Sequence, residues 1–236
     1  MISAGRSIFD EGQVLLFDKP LYWTSFDLVN KIRIMIRSTT GIKRIKAGHA
    51  GTLDPLASGL MIICTGKATK RIEEFRDLDK EYIATIRLGV TTPSYDLETE
   101  VNNQYSIAHI TKEMVQSALN GFLGEQKQVP PLYSAKFISG KRAYEFARKG
   151  VEKKLEPVTV FFREIELIEC KIPDVKVRLL CSKGTYIRSF ARDLGEVLKS
   201  GGCLSSLTRS AIGHFKLDQA SDLGKFQLFL QQMKQS

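Results

Sequence analysis

The chain of 236 residues is poor in the side chains that bind metals and form disulfides. Its four cysteines include no CxxC pair, and its three histidines are scattered along the sequence. A zinc site is therefore not expected, and unclustered cysteines indicate reduced thiols of the kind found in the cytoplasm. Because the sequence also lacks a P-loop and a dinucleotide-binding fingerprint, it predicts no nucleotide cofactor.

Long apolar runs are missing as well. The densest apolar stretch, Leu60 to Cys64, is about five residues, far below the roughly 18 that indicate a transmembrane helix. Asp10 and Glu11 precede any apolar run, so no signal peptide is expected. Hydrophobic residues make up 43% of the chain and charged residues 26%, which is ordinary for a globular protein and excludes wholesale disorder.

Positive charge is abundant and concentrated. The net charge is +9, and two windows, 28–53 and 136–154, together hold 13 basic and two acidic side chains. Clustering of this kind is typical of phosphate binding, so nucleic acid is the first expected partner and a membrane surface the second. Basic faces without a ligand are the alternative. Tyr133, Phe137 and Tyr144 accompany the second window and would stack on unpaired bases, although such aromatics are more often core residues.

The hydrophobic pattern predicts strands and helices that follow no strict βαβ alternation, which favours an α+β fold with a mixed, mostly antiparallel sheet. No linker divides the sequence, so one domain is expected, with a core of about 13–217 and a C-terminal helix over 218–236. The predicted strands are 15–17, 60–64, 82–88, 134–138, 157–170, 175–181 and 211–217. The other predicted helices are 25–37, 68–78, 111–121, 141–149 and 186–199.

The segment 48–60, GHAGTLDPLASGL, surrounds a single acid, Asp54, with three glycines and Pro55. Glycine permits positive φ and close backbone approach, and Pro55 fixes the turn just after the acid. The nearest carboxylates along the sequence are Asp27 and Glu73, so Asp54 is alone in a turn-rich loop. A lone Asp before Pro usually forms a turn. The residues alone therefore leave two interpretations of Asp54 open, a structural role in the turn and a role in catalysis.

This loop and its continuation, ICTGKATK at 63–70, resemble the active-site loop of the TruB family, the bacterial tRNA pseudouridine-55 synthases. Further matches follow in the same order and cover most of residues 13–217. They are LLFDKP at 15–20, DKEYIATIRLG at 79–89, PPLYSAKFISGKRAYEFARKG at 130–150, CSKGTYIRSFARDLG at 181–195 and CLSSLTRS at 203–210. The resemblance implies the pseudouridine synthase fold and the isomerisation of uridine-55 in the T-loop of tRNA, without a metal or cofactor.

The resemblance also implies roles for individual residues. Asp54 would be the nucleophile, attacking C6 of the base or C1′ of the ribose, and the sequence leaves both open. Arg188 would form an ion pair with Asp54. Tyr82 would stack on the target base; removal of the C5 proton is a further hypothesis, because an ordinary phenol is a poor base at neutral pH.

Other matching positions imply contacts with the substrate. His49 would pack beside the flipped-out uridine, since a base inside a folded loop must be extruded to be reached, and Leu207 would line the base pocket. The remaining matches, expected to support the loop or to contact RNA, are Lys19, Tyr186, Lys136, Lys141, Arg142 and Arg148.

Two departures from the family pattern stand out. The loop VTTPSYDLETE at 90–100 keeps Thr92 and Asp96 of the pattern Thr-Asp-Thr-x-Asp-x-x-Gly but lacks its glycine. Residues 218–236 are too few for the PUA RNA-binding domain of many relatives, so no such domain is expected and affinity would depend on the basic windows.

Two other functions remain open. The chain would act as an RNA-binding or tRNA-folding module with an incidental site, or as a pseudouridine synthase for another RNA, guide-RNA complexes included. The absence of a PUA domain argues against the guided form. In each case the chain is expected to act in the cytoplasm, and it is expected to be a monomer.

Overall fold

The computed structural model describes residues 8–42, 44–134, 136–138, 140–151, 153 and 155–235. Lys43, Glu152 and Lys154 of the basic windows lie outside these described residues. The chain divides into two compact units: unit 1 runs to Lys80 and resumes at Thr208, and unit 2 is Glu81–Leu207. The single domain without a PUA domain stays a prediction. Within the described ranges, no helix combines the length and apolarity needed to cross a membrane.

In chain order the helices are α1 (Ile8–Glu11), α2 (Ser25–Thr40), α3 (Ile72–Asp77), α4 (Lys112–Asn120), α5 (Ala143–Ala147), α6 (Ile187–Val197) and α7 (Leu223–Gln235), with short 3-10 helices at Gly66–Arg71 and Leu217–Gln219. Three of the helices, α2, α4 and α6, begin and end close to the positions that capping residues and apolar spacing predict. Helix α2 illustrates the local cause: Thr24 and Asp27 form a capping box in which each side chain accepts the other's backbone N–H.

The strands range from two-residue ladders to a long hairpin. In chain order they are β1 (Val14–Lys19), β2 (Ala47–His49), β3 (Ala57–Thr65), β4 (Lys80–Leu88), β5 (Val90–Thr91), β6 (Asn103–Gln104), β7 (Gly124–Gln128), β8 (Phe137–Ile138), β9 (Lys141–Arg142), β10 (Val158–Lys171), β11 (Asp174–Cys181), β12 (Gly202–Ile212) and β13 (Phe215–Lys216). Antiparallel pairing joins β1 to β3, β2 to β3, β5 to β6, β7 to β10, β8 to β9, β10 to β11 and β12 to β13. Isolated parallel bridges join Phe17 to Ser221 and Asp96 to Leu204. The predicted α+β class with a mostly antiparallel sheet is confirmed.

In unit 1, β3 is the central strand. It pairs with β1 from Cys64↔Val14 to Gly59↔Lys19 and with β2 through its last residues. The last residues of β12 neighbour it as well. The run from Leu60 to Cys64 has no solvent exposure, which is why this strand reads as a continuous apolar segment rather than an alternating one.

In unit 2, β4 lies between β11 and the first part of β12, and β10 and β7 extend the sheet beyond β11. The β10–β11 hairpin turns between Lys171 and Asp174, as the sequence predicts. Along β4, buried positions alternate with more exposed ones, so the pattern places Tyr82 on the same face of the strand as Ala84 and Ile86.

Three sequence predictions are wrong. The helix predicted over 141–149 is limited to α5, because Gly140, with a φ of 81°, turns the chain so that Phe137 pairs with Arg142. The strand predicted over 211–217 instead runs from Gly202 to Ile212, and Gly213 turns it into β13. The C-terminal helix begins at Leu223, after a separate 3-10 turn. Strands β2 and β7 form where the sequence predicts no strand.

Candidate active-site loop and its surroundings

The loop that carries Asp54 joins β2 to β3 and is held through its backbone. The hydroxyl of Ser25, the first residue of α2, accepts the Leu53 N–H at 2.8 Å and donates to the Leu53 carbonyl at 3.0 Å. The Tyr22 N–H donates to the Pro55 carbonyl at 2.7 Å, and the Ala57 N–H to that of Asp54 at 3.0 Å. These bonds fix the backbone on both sides of Asp54, whose side chain remains half-exposed.

Arg209 holds the same loop from β12. Its side chain is 1% exposed; Nε donates to the Leu60 carbonyl at 2.7 Å and Nη2 to the Gly51 carbonyl at 3.2 Å. A buried guanidinium is tolerated where carbonyls take its hydrogen bonds. Gly59 makes this approach possible: a Cβ on it would lie 2.4 Å from the Arg209 backbone oxygen, and its φ is 107°.

Lys19 is another buried cation of unit 1. It has no solvent exposure, and Nζ donates to the carbonyls of Pro20 at 2.9 Å and Trp23 at 2.7 Å. Burial lowers the pKa of the Lys19 ammonium to about 8, and the charge of Arg209 lowers it further, while the negative charge of Asp54 acts against both. Lys19 therefore interacts electrostatically with Asp54; its implied role in supporting the loop stays a prediction.

Lys19 predicts a specific pH dependence of stability. Its pKa falls from 10.5 to about 8 on folding, so between these values the unfolded chain binds more protons and the Lys19 contribution to the free energy of unfolding rises with pH. A neutral amine keeps two N–H donors for Pro20 and Trp23. Urea unfolding of wild type and Lys19→Met is measured from pH 7 to 10. Above pH 8 the free energy of unfolding of the wild type should rise relative to that of the variant. If the free energies of unfolding of the two proteins changed in parallel with pH, the lowered pKa of Lys19 would be contradicted.

His49 ends β2, opposite Ile63 of β3, and is half-buried. Burial lowers the pKa of its imidazole below the ordinary 6.5, so the ring is neutral at pH 7. A neutral ring suits the packing role that the resemblance implies, because it brings no charge to desolvate beside a nucleobase.

In unit 2, Arg188 forms a buried ion pair with Asp96. It lies in the first turn of α6, and its Nε is 3.6 Å from Oδ2 of Asp96, with both side chains 5% exposed. Its Nη1 also donates to the Ser94 carbonyl at 3.2 Å. The loop 90–100 is therefore folded around the guanidinium, although it lacks the family's glycine. The implied pairing of Arg188 with Asp54 stays a prediction.

The other predicted pocket residues of unit 2 are largely buried. Tyr82 on β4 and Leu207 on β12 are each 8% exposed. The backbone N–H of Tyr186 donates to Oε1 of Gln128 at 2.8 Å, so Tyr186 is positioned at the start of α6 by the end of β7.

The basic segment of unit 2 combines cations with aromatic rings. The Arg142 guanidinium lies 4.0 Å from the ring centroid of Phe137, and that of Arg148 5.3 Å from Tyr144. Phe137 is 61% exposed, and Lys141 is exposed beside it. Lys136 donates to the Glu156 carbonyl at 3.2 Å. Exposed guanidinium–aromatic pairs of this kind suit unpaired nucleotides.

The predicted site residues thus divide between the units: Lys19, His49 and Asp54 belong to unit 1, and the rest to unit 2. Sequence reasoning missed the loop-holding roles of Ser25 and Arg209 and the pairing of Asp96 with Arg188. Arg209 lies in a segment that carries the resemblance, and Asp96 is one of two positions at which the 90–100 loop keeps the family pattern. A signal was therefore present, but neither residue type reveals its partner. Among the described residues, no group of three or more His, Cys, Asp or Glu side chains is arranged to hold a metal ion.

Comparison with known families shows that the chain matches one of them. Residues 37–187 match the family described as TruB family pseudouridylate synthase (N terminal domain). The chain belongs to the TruB family. A curated TruB relative from Phocaeicola vulgatus, tRNA pseudouridine synthase B, is 55% identical over 226 residues, which are 96% of each chain. Its namesake from Flavobacterium johnsoniae is 46% identical and covers 94% of this chain and 97% of the relative.

Solved structures agree with the family assignment. A chain of a Cbf5–Nop10–Gar1 complex is 28% identical, with a TM-score of 0.72 over 95% of this TruB-family chain and 56% of the solved one. A chain of an H/ACA RNP bound to a substrate RNA containing 2′-deoxyuridine is 25% identical, with a TM-score of 0.70 over 98% and 57%. This chain spans a little over half the length of those solved chains. The predicted pseudouridine synthase fold is confirmed.

Proposed function

We propose that the chain isomerises uridine-55 in the T-loop of tRNA to pseudouridine. The observation that carries the proposal is Asp54, the one carboxylate in a loop whose backbone is fixed by hydrogen bonds to the side chains of Ser25 and Arg209, in a chain of the TruB family. The names of its relatives, tRNA pseudouridine synthase B, support tRNA as the substrate. The protein would act as a monomer in the cytoplasm.

Asp54 is the proposed nucleophile. Its carboxylate attacks C6 of the uracil or C1′ of the ribose; the N1–C1′ bond breaks, the base rotates, and a C5–C1′ bond forms. The bond between Asp54 and the substrate then breaks, which releases the free carboxylate. The C5 proton leaves and N1 gains a proton, so the reaction is redox-neutral. A covalent intermediate divides one difficult step into two easier ones, and a fixed loop supports this because the detached base must be held in register.

The remaining residues bind and orient the uridine. Arg188 pairs with Asp54 and fixes the direction of its carboxylate, Tyr82 stacks on the base, and Leu207 lines its pocket. His49 occupies space beside the extruded nucleotide. The burial of Tyr82, Leu207 and Arg188 supports an apolar, water-poor setting in which such contacts are strong.

The basic segment of unit 2 predicts salt-dependent RNA binding. Replacing Lys141, Arg142 and Arg148 by Gln should weaken binding to a T-arm hairpin and flatten the plot of log K against log salt by about two, because each lost phosphate contact removes roughly 0.7–0.9 from the slope. Exchanging the exposed lysines Lys112, Lys176 and Lys225 for Gln changes the charge equally and should leave the slope nearly unchanged. Identical slopes for both triple variants would remove this segment from the interface.

A direct assay tests the proposed reaction. The purified chain is incubated with a transcribed tRNA, and pseudouridine is mapped by reverse transcription after carbodiimide treatment. A single modified site at position 55, lost when that uridine is replaced by cytidine, is expected. Modification of other RNAs in a total RNA pool, with position 55 untouched, would point to another substrate, and RNA binding without any product would indicate a binding module.

A further inference from the structure

Tyr22, three residues before the start of α2, is an aromatic residue in a costly conformation. Its φ is 65°, a region that residues other than glycine rarely adopt, and its side chain is 78% exposed. The backbone explains how it is held: its N–H donates to the carbonyl of Pro55, the residue after Asp54, at 2.7 Å. The bend that ties α2 to the Asp54 loop therefore also projects an aromatic ring into solvent.

Phe26, in the first turn of α2, is a second exposed aromatic side chain four residues further along the chain. Its side chain is 64% exposed, and that of Leu21 is 48% exposed. The helix does not need Phe26 for its core, because Leu28, Val29 and Ile32 already lie buried at 0–3% exposure. We call Leu21, Tyr22 and Phe26 the α2 aromatic surface. Among the described residues, these three side chains stay 48–78% exposed.

The charge beside this surface indicates what covers it. Phe26, Asn30, Arg33 and Arg37 are spaced by four, three and four residues, so they share one face of α2. Arg37 is exposed, and no acid occurs between residues 28 and 53. Asp27, the neighbouring acid, is engaged by the Thr24 cap. A partner with flat apolar groups and negative charge fits this combination, and unpaired nucleotides carry both.

We propose that Tyr22 and Phe26 form a stacking subsite for an unpaired nucleotide next to the target uridine, with Arg37 facing the RNA backbone. The inference rests on the proposed function and adds a substrate contact to it. The backbone of Tyr22 is hydrogen-bonded to Pro55, the residue after Asp54. An RNA loop whose uridine reaches Asp54 therefore brings adjacent nucleotides within range of Tyr22 and Phe26. Stacking on Tyr22 and Phe26 would hold the loop open around the extruded base.

The test uses full-length protein carrying Asp54→Asn, so that binding is measured without turnover. Tyr22→Asn keeps a residue that tolerates positive φ, and Phe26→Gln keeps a good helix former. Each should weaken binding to a T-loop hairpin roughly tenfold, within the range of about 1–3 kcal/mol for one base–aromatic stack. With 2-aminopurine beside the target uridine, the quenching seen with the parent protein should be reduced. Tyr22→Phe should restore both signals.

The control removes equivalent apolar surface elsewhere in unit 1. Leu228 and Phe229 of α7 are 61% and 44% exposed, and their replacement by Gln should change neither affinity nor quenching. Tyr22→Gly, which relieves the positive φ, serves if Tyr22→Asn folds poorly. Unchanged RNA affinity and unchanged quenching in the Tyr22 and Phe26 variants would overturn the proposal. The proposal would also be overturned if the parent protein sedimented as a dimer and these variants lost the dimer but kept their RNA affinity, because the surface would then bind a second copy of the chain. Because the readout is binding, its failure is distinguishable from an absence of pseudouridine formation by the wild type.

Discussion

Replacing Asp54 by Asn is expected to reduce the single-turnover rate of pseudouridine formation at least about 10⁴-fold, with RNA affinity within about threefold of wild type. Asparagine keeps the size of the side chain but supplies no anionic nucleophile. The hydrogen bonds that hold the loop use the backbone of Leu53, Asp54 and Pro55, so its conformation survives the change. The measurement is product formation at saturating enzyme, with affinity from filter binding.

A matched carboxylate makes this result specific. Asp27 is the preceding acid along the chain and caps α2 through its side chain. Asparagine can accept the same hydrogen bond, so Asp27→Asn should leave the rate within about threefold of wild type. An Asp54→Asn rate within tenfold of wild type would contradict the role of Asp54 as nucleophile.

Gly59→Ala is expected to lower the free energy of unfolding by roughly 3–5 kcal/mol, a large effect for one methyl group. The new Cβ would lie 2.4 Å from the backbone oxygen of Arg209 and 2.7 Å from its nitrogen. These are backbone atoms between neighbouring strands, which cannot move aside as a flexible side chain can. The shift would also disturb the hydrogen bond from Arg209 to Gly51, so activity should fall in any protein that still folds.

Gly41 provides the control for backbone conformation alone. It ends α2 with a φ of 72°, and a Cβ there would meet nothing within 4 Å. Gly41→Ala should therefore cost only about 1 kcal/mol, the penalty of a side chain at positive φ. Urea denaturation of both variants measures the difference. Equal destabilisation would mean that the approach of β12 to Gly59 is not tight in solution.

Elements with a strong local signal are the ones the sequence predicts. The Thr24 cap and the spacing of Leu28, Val29 and Ile32 define α2, and the apolar run in β3 defines a buried strand. The sequence of β12 hides its strand character. Its polar residues are accommodated by distant partners: Ser205 donates to the Thr85 carbonyl, and Arg209 bonds carbonyls of the Asp54 loop.

The site shows the same division between local and distant information. Asp54 is detectable because glycines and Pro55 surround it within a few residues, and because that loop is one of several ordered segments that resemble the TruB family. The partners that fix its setting are far away along the chain: Ser25 bonds Leu53 across 28 residues, and Arg209 bonds Gly51 across 158. No periodicity connects such positions, so only the fold reveals them.

The most direct test of the central claim is pseudouridine at tRNA position 55 in living cells. A strain without this chain, complemented with either wild type or Asp54→Asn at equal protein levels, is compared by site-specific mapping of total tRNA. Wild type should restore the modification fully, and Asp54→Asn should leave position 55 as uridine. Restoration by the variant, or wild-type complementation that modifies only other RNAs, would contradict the account.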